Sequence, residues 1–458
     1  MLNKIFKLNK HSTTVSTEIL AGITTFITMA YVLAVMPSML AGTGMDKEAV
    51  FFATCLSAGL VTIAMGLFVN LPIALAPGMG LGAYFAVIAA QNGGIPWPIA
   101  LGAVFISGII FLLLTITRIR QILVDAIPNS LKHAMTIGIG LFITLIGLKM
   151  SHVVRVVTHL GSSLNDITAS HGVANLSFFE WDLALGNFTS PDTLLALIGL
   201  IITSSLIALR VRGAILLGIV VSTLIGIPLG LTNIYGIHLG LPSWTDFNIG
   251  SMDLKGAFNL GLISIIFTFT FVGLMDTFGT LVSTTNQAGI VTDKNAKSGS
   301  SLIGKAMFVD AAGACFGAFL GVPALTVYLE SMAGISAGGK TGLTAVTTGV
   351  LFLLALVLSS LFIIIPNAAT APALILVGVF MISSVQHIDF QDFSEGVPAF
   401  LTMVIMPFTY SIANGISAGI IFYVLLKVLT GKWRKVHWMM YVLAALVVFQ
   451  YSGFLNRF

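Results

Sequence analysis

Two carboxylates lie inside stretches of the chain that are otherwise long, apolar and uncharged. Asp276 lies in FTFTFVGLMDTFGTL (residues 267–281), and Glu330 lies in GVPALTVYLESMAG (residues 321–334). An acid at the centre of a bilayer costs about 2.5–3.5 kcal/mol on insertion scales, so it normally faces a cavity, a proton path or a bound solute. These two acids therefore predict a functional site at membrane depth.

Each acid also has a structural alternative. Asp276 could be paired with a nearby hydroxyl such as that of Thr277 or Thr280. Glu330 could stabilise only its own helix, which is worth about 1 kcal/mol and so less than the cost of burial. A third acid, Asp310, follows Lys305 near the end of its apolar segment, where a salt bridge or an interfacial position is the favoured interpretation.

The composition is that of an integral membrane protein. The 458 residues are 57% hydrophobic and 8% charged, against about 25% charged in a typical soluble domain. The net charge of +4 needs no nucleic-acid partner, because basic residues collect in cytoplasmic loops. No P-loop, nucleophile–base pair or metal-ligand spacing is visible, so the sequence predicts no cofactor, no metal site and no enzymatic activity.

Apolar stretches long enough to span a bilayer recur along the whole chain and number about fourteen. With the N-terminus in the cytoplasm, most of the 21 lysines and arginines fall in cytoplasmic loops, as the positive-inside rule requires. The sequence thus predicts a multi-pass protein of the inner (plasma) membrane with a cytoplasmic N-terminus. A last apolar stretch, residues 437–453, is expected either to span or to lie in the interface.

Two of the apolar segments, 71–91 and 321–337, are interrupted. The first contains LPIALAPGMGLGAYF and the second GVPALTVYLESMAG, each with a proline, a short extended run and a glycine-rich half-helix. They run in opposite directions and lie about half the chain apart, as an inverted repeat requires. Paired broken segments of this kind indicate the binding site of a transporter, near the bilayer midplane.

Several blocks of sequence resemble the AzgA-type purine permeases of the nucleobase–cation symporter (nucleobase/ascorbate transporter) family. The resemblance implies proton-coupled import of adenine, guanine or hypoxanthine by elevator-like alternating access, with the proton as coupling ion. The blocks are AGITTFITMAY (21–31), PGMGLGAYF (77–85), IGIGLFITLIGL (137–148), FVGLMDTFGTL (271–281), YLES (328–331), AGGKTGLTAV (337–346) and VPAFLTMVIMPFTYSIANGI (397–416).

The resemblance further implies an all-α membrane protein whose segments form a seven-plus-seven inverted repeat, with short strands in the two broken segments. Core and gate domains are expected. The expected ranges are a cytoplasmic N-terminal tail (1–17), core segments 1–4 (18–120), gate segments 5–7 (121–257), core segments 8–11 (258–364), gate segments 12–14 (365–431) and a C-terminal hydrophobic segment (432–458).

In that family, the acids of the eighth and tenth segments contact the base, and they match Asp276 and Glu330. Both are candidates for proton coupling; we favour Asp276 as the proton-coupled group and Glu330 as the fixed substrate acceptor. The other expected substrate-binding residues are Thr28, Gly80, Gly82, Tyr84, Phe278, Tyr328 and Ser331.

This chain departs from the family pattern at two positions near the expected site. Gly82 stands where the family usually has Asn, and Gly273 stands where it has an acid or an amide. Both glycines are expected to face the base.

Other functions remain open on sequence grounds. A transporter of the same fold could carry uracil, xanthine or an inorganic anion, although two acids at the site argue against an anion. An intramembrane enzyme is a remote alternative. The expected partners are a purine nucleobase and the lipid bilayer; a homodimer is compatible with the sequence, and nucleic acid is not expected.

Overall fold

Long apolar helices dominate the computed structural model, which describes residues 2–90, 94–117, 126–160, 179–232, 248–259, 263–287 and 296–451. Within these residues, nine helices are long and apolar enough to cross a bilayer, and four shorter apolar helices accompany them. Helices satisfy their own backbone polar groups, which lipid cannot do. The described part of the chain therefore has the predicted all-α membrane architecture.

Three helices of the first half begin at polar capping residues. The side chains of Thr14, Asp46 and Ser190 each accept a hydrogen bond from a backbone N–H of the first turn that follows. The elements are α1 (Leu2–Phe6), α2 (Val15–Met29), α3 (Val32–Leu40), α4 (Lys47–Ala64), β1 (Leu75–Pro77), α5 (Met79–Ile88), α6 (Trp97–Ile116), α7 (Asn129–Met150), β2 (Val154–Leu160), β3 (Phe179–Leu185), α8 (Pro191–Ala208) and α9 (Ala214–Gly226).

The second half repeats this order of long, broken and long segments. Its helices use the same kind of cap, with Thr341, Asp392 and Ser411 at N-terminal ends. The elements are α10 (Leu254–Asn259), α11 (Ile263–Gln287), α12 (Ala296–Leu320), β4 (Leu325–Val327), α13 (Ser331–Ser336), α14 (Gly342–Leu354), α15 (Ser359–Ile363), α16 (Asn367–Ile382), α17 (Phe393–Phe408), α18 (Ile412–Leu429) and α19 (Trp438–Tyr451).

The helices pack in two groups. In one group, α2 and α4 pack on α14, and α6 packs on α11 and α12. In the other, α7 packs on α16 and α17, while α8 packs on α9 and α16. The boundaries and the relative motion of the predicted core and gate domains stay predictions.

The two broken segments meet in a short antiparallel ladder. Strand β1 pairs with β4, with Leu75 opposite Val327, Ala76 opposite Thr326 and Pro77 opposite Leu325. The amide of Gly78 extends the ladder by donating to the carbonyl of Ala324 at 3.1 Å. Every backbone group at this depth needs a partner inside the protein, and the ladder supplies it. The predicted strands of the broken segments are confirmed.

The first apolar segment is also interrupted. Helix α2 ends at Met29, and α3 begins at Val32. The hydroxyl of Thr28 donates to the carbonyls of Thr24 and Thr25 at 3.0 and 2.9 Å. Such side-chain bonding to the preceding turn bends helices. The interruption leaves Tyr31 at the N-terminal end of α3.

Two residues before α2, within the expected cytoplasmic tail (1–17), pack against the rest of the protein. Phe6 and Leu8 are buried in a cluster with Leu343 of α14. Beside them, the buried carboxylate of Glu18 accepts hydrogen bonds from the backbone N–H groups of Lys340 and Thr341, at 3.0 and 3.2 Å. These contacts tie the N-terminal residues to the start of α14.

Two further features lie outside the repeat. Strands β2 and β3 pair antiparallel between α7 and α8, with Val154 opposite Leu185; this hairpin was expected only as a polar loop. Helix α19 packs against α18 and has 14 residues, fewer than the roughly 20 that a straight crossing needs. Whether it spans stays a prediction.

Candidate functional site

A cavity of about 840 Å³ lies between the two packing groups of helices. One wall comes from the interrupted first segment, from the broken segments and from α11, and the opposite wall comes from α7, the α8–α9 turn and α16. The described lining residues that the argument uses are Thr28, Tyr31, Met79, Gly80, His133, Ile139, Ile143, Arg210, Arg212, Thr280, Tyr328, Glu330 and His387.

The broken segments bring their most polar residues to this cavity. Met79 and Gly80 begin helix α5, and Tyr328 and Glu330 lie between strand β4 and helix α13. The β1–β4 ladder fixes the two junctions beside each other, because each strand leads directly into its half-helix. The structure therefore places three of the predicted site residues, Gly80, Tyr328 and Glu330, on one wall.

Glu330 is held by a tyrosine from the first segment. The hydroxyl of Tyr31 donates to Oε1 of Glu330 at 2.6 Å, within the range of a hydrogen bond to an ionised oxygen. The Tyr31 side chain is only 1% exposed, whereas Glu330 is half-buried. The carboxylate thus lies at the cavity surface with one oxygen already bonded, and it can accept hydrogen bonds from a solute.

Tyr328 lines the cavity with its hydroxyl already bonded. That hydroxyl donates to the backbone carbonyl of Pro77 at 2.6 Å, which joins the second broken segment to the first. A phenol anchored in this way is well suited to present an apolar ring to a planar solute. Thr28 also lines the cavity, but its hydroxyl already donates a hydrogen bond to a backbone carbonyl of its own helix.

Three predicted site residues lie away from the described cavity wall. A Cβ at Gly82 would lie 2.7 Å from Cε of Met39, Tyr84 packs on Phe269 with ring centroids 5.2 Å apart, and Ser331 accepts from the amide of Ala74 at 3.0 Å. Their contact with the solute stays a prediction. In an α-helix, residues 80 and 82 point about 200° apart, so the exposure of Gly80 to the cavity turns Gly82 towards the packed side.

Two other predicted residues cannot be placed by their side chains. Asp276 and Phe278 lie on helix α11, but their side chains lie outside the described part of the structure. Thr280 of the same helix lines the cavity. Gly273 is buried, and a Cβ there would lie 3.8 Å from Cδ1 of Leu81, which is ordinary van der Waals contact.

The opposite side of the cavity carries basic residues that sequence reasoning did not assign. Arg210 and Arg212 come from the α8–α9 turn, and His133 stacks on His387 with ring centroids 4.9 Å apart. Among the described residues, no group of three or more His, Cys, Asp or Glu could hold a metal ion.

Comparison with known proteins decides the family. The model of the Permease family (Xan_ur_permease) matches residues 16–418. The chain belongs to this family. This member of the Permease family is 43% identical over 448 residues to the adenine permease AdeP of Escherichia coli (strain K12), covering 98% of this chain and 95% of that protein. It is 37% identical over 453 residues to the guanine/hypoxanthine permease PbuO of Bacillus subtilis (strain 168), covering 97% and 99%.

The fold of this Permease-family chain is shared with anion transporters. The transmembrane domain of the cyanobacterial bicarbonate transporter BicA superposes with a TM-score of 0.62 at 15% identity, covering 88% of this chain and 97% of that domain. A likeness at this identity shows the fold alone. The predicted resemblance to purine permeases is confirmed, and the chain is a multi-pass membrane transporter rather than an enzyme.

Proposed function

We propose that this protein imports purine nucleobases together with protons, by alternating access across the inner membrane. The observation that carries the proposal is the Glu330 carboxylate at the cavity, in a chain 43% identical to an adenine permease. Guanine carries a ring N–H and an exocyclic N–H on one edge, while adenine and hypoxanthine each carry N–H donors of their own. A carboxylate accepts two such bonds at once, and it is the side chain best suited to that edge.

In our proposal, the protein contacts one edge and both ring faces of the base. Glu330 accepts from the edge, while the ring of Tyr328 packs against one face. Ile143 of α7 also lines the cavity and supplies apolar contact to the other face. A mostly apolar pocket with a few convergent polar groups is typical of small-molecule sites.

We assign proton coupling to Asp276, with Glu330 as the fixed acceptor. Asp276 lies on α11 one turn before Thr280, which lines the cavity, and helical residues four apart share a face. An acid in an apolar segment is a functional-site hypothesis by default. Protonation would remove its charge at the step in which the loaded site crosses the membrane.

In our proposal, the pairing of the two broken segments is the basis of alternating access. The β1–β4 ladder ties both broken segments together, so the site moves as one body against α7 and α16 in our proposal. The positive-inside rule assigns Arg210 and Arg212 to the cytoplasmic side. Since both arginines line the cavity, we infer that it is open to the cytoplasm in this conformation.

The test is uptake into proteoliposomes. Labelled adenine, guanine, hypoxanthine, uracil and bicarbonate are each supplied with an imposed proton gradient, a sodium gradient or neither. We expect one or more purines to accumulate only with the proton gradient. Accumulation of bicarbonate or uracil alone would overturn the substrate assignment, and accumulation driven by sodium at constant pH would overturn the proton coupling.

A further inference from the structure

We propose that Tyr31 is the positioning residue of the site: its hydroxyl holds one oxygen of Glu330 so that the other oxygen is presented to the solute. This inference deepens the proposed function and rests on it. It concerns how the carboxylate is fixed before any solute arrives, which is a property of the protein alone.

The geometry of the contact supports a fixed orientation. Tyr31 and Glu330 are 299 residues apart in sequence, and their side chains meet at 2.6 Å. The Tyr31 ring lies within the buried core cluster that also holds Met29, Val32 and Leu33. A ring packed in this way cannot redirect its hydroxyl, so the direction of the hydrogen bond is set by the core.

Glu330 occupies the N-cap position of α13 without a side-chain capping hydrogen bond. Its carboxylate bonds to its own backbone, and the partner from another segment is Tyr31. Its neighbour Leu329 is 45% exposed and lines the cavity, so the cavity side of this turn is open. A long acidic side chain in such a place keeps several rotamers unless a partner selects one. Tyr31 supplies that partner, and a preorganised carboxylate binds its ligand more tightly than a free one.

The break in the first segment lies beside Glu330. Because α2 ends at Met29 and α3 begins at Val32, Tyr31 lies in the turn between the two helices, and it lines the cavity. The hydroxyl of Tyr328, the other tyrosine at the cavity, donates to the carbonyl of Pro77. The two tyrosines therefore have different roles: Tyr328 fixes the backbone of the broken segments, and Tyr31 fixes the acid.

The first test is Tyr31→Phe, which removes the hydroxyl and keeps the ring. We expect the KM for the transported purine to rise about tenfold, the typical loss for a hydrogen bond to a charged group, while the maximal rate changes much less. The matched control is Tyr441→Phe, which removes a hydroxyl bonded to the carbonyl of Trp433. It should leave transport unchanged, and both variants should keep the wild-type Tm within a few degrees, roughly the effect of 1 kcal/mol.

A double-mutant cycle with Glu330→Gln separates positioning from direct contact. If Tyr31 acts through Glu330, Tyr31→Phe should weaken binding much less in the Gln background than in the wild type. If the two losses simply add, Tyr31 contacts the solute itself and the proposal is overturned. A large fall in Tm for Tyr31→Phe, with KM unchanged, would overturn it as well.

An infrared measurement without any solute separates this inference from the proposed function. The carboxylate band of Glu330 is identified by its loss in Glu330→Gln, and it should shift in Tyr31→Phe but not in Tyr441→Phe. An unshifted band would refute the positioning role even if purines are transported. Conversely, a protein that carries no purine but shows the shift would refute the substrate assignment and leave the positioning role intact.

Discussion

Gly80 is the point at which the broken segment α5 comes closest to α7. A Cβ at this position would lie 2.6 Å from Cγ2 of Ile139 and 3.9 Å from Cδ1 of Ile143. Carbon atoms in contact are normally about 3.5–4.0 Å apart, so Gly80→Ala requires the two helices to part by about 1 Å. Ile139 is buried at 5% exposure, and its branched side chain has little freedom to turn aside.

The expected cost follows from that overlap. Inserting a methyl group into a packed contact costs about 1–3 kcal/mol, or a factor of roughly 5 to 150 in a rate or an equilibrium. If α5 must pass α7 during transport, the initial rate of purine uptake should fall by this factor. Equilibrium binding to purified protein should weaken less, because the cavity can hold the base without that passage.

The assay compares uptake rates and calorimetric binding for Gly80→Ala with two second-site variants. Ile139→Ala removes Cγ2 and should restore uptake, whereas Ile139→Val retains both γ carbons and should not. Gly304→Ala is the matched control, because a Cβ there meets nothing within 4 Å. Normal uptake by Gly80→Ala, or a loss that Ile139→Ala leaves in place, would refute the reasoning.

Three further outcomes are expected. Glu330→Gln should weaken purine binding about 5- to 200-fold by misplacing an amide donor; calorimetric affinity equal to the wild type would remove Glu330 from the site. Asp276→Asn should bind and exchange labelled base but lose concentrative uptake, as the wild type should with a protonophore; gradient-driven accumulation by the variant would contradict this. Gly82→Asn should lower the Tm without reordering purine competition, because a Cβ there meets Met39 at 2.7 Å; a reordered ranking at wild-type Tm would contradict it.

Local patterns predicted much of this architecture. Length and hydropathy located the crossings, and the prolines and glycines around residues 71–85 and 321–339 predicted two strands that lead into half-helices. Those features are local. Proline removes a helix hydrogen-bond donor where it stands, and glycine makes the backbone more flexible where it stands. The prediction that Glu330 lies at a cavity also followed from the local sequence, because an acid in an apolar segment normally faces a cavity rather than lipid.

The missed features depend on contacts that no local pattern contains. The bond between Tyr31 and Glu330 joins residues 299 positions apart, and a tyrosine in an apolar segment has no signature that distinguishes it from packing. The expectation that Gly82 faces the site came from the family pattern; Gly80 lines the cavity, and Gly82 lies about 200° around the helix from it. Glu18 received no role, yet its carboxylate caps α14 through residues more than 320 positions away.

The β1–β4 ladder also constrains how the chain is made. Residues 75–77 reach the membrane about half a protein length before residues 325–327, and ribosomes add about 5–20 residues per second. For that interval the backbone groups of β1 have no strand partner, and lipid cannot satisfy them. Until the tenth segment is inserted, the backbone groups of β1 must therefore be hydrogen-bonded by the insertion machinery or by water. The third segment has no cysteine, so the probe is Ala76→Cys in a chain from which Cys55 and Cys315 have been removed. A ribosome stalled before residue 321 should leave the introduced thiol accessible to water-soluble cysteine reagents, and synthesis past residue 340 should end that accessibility.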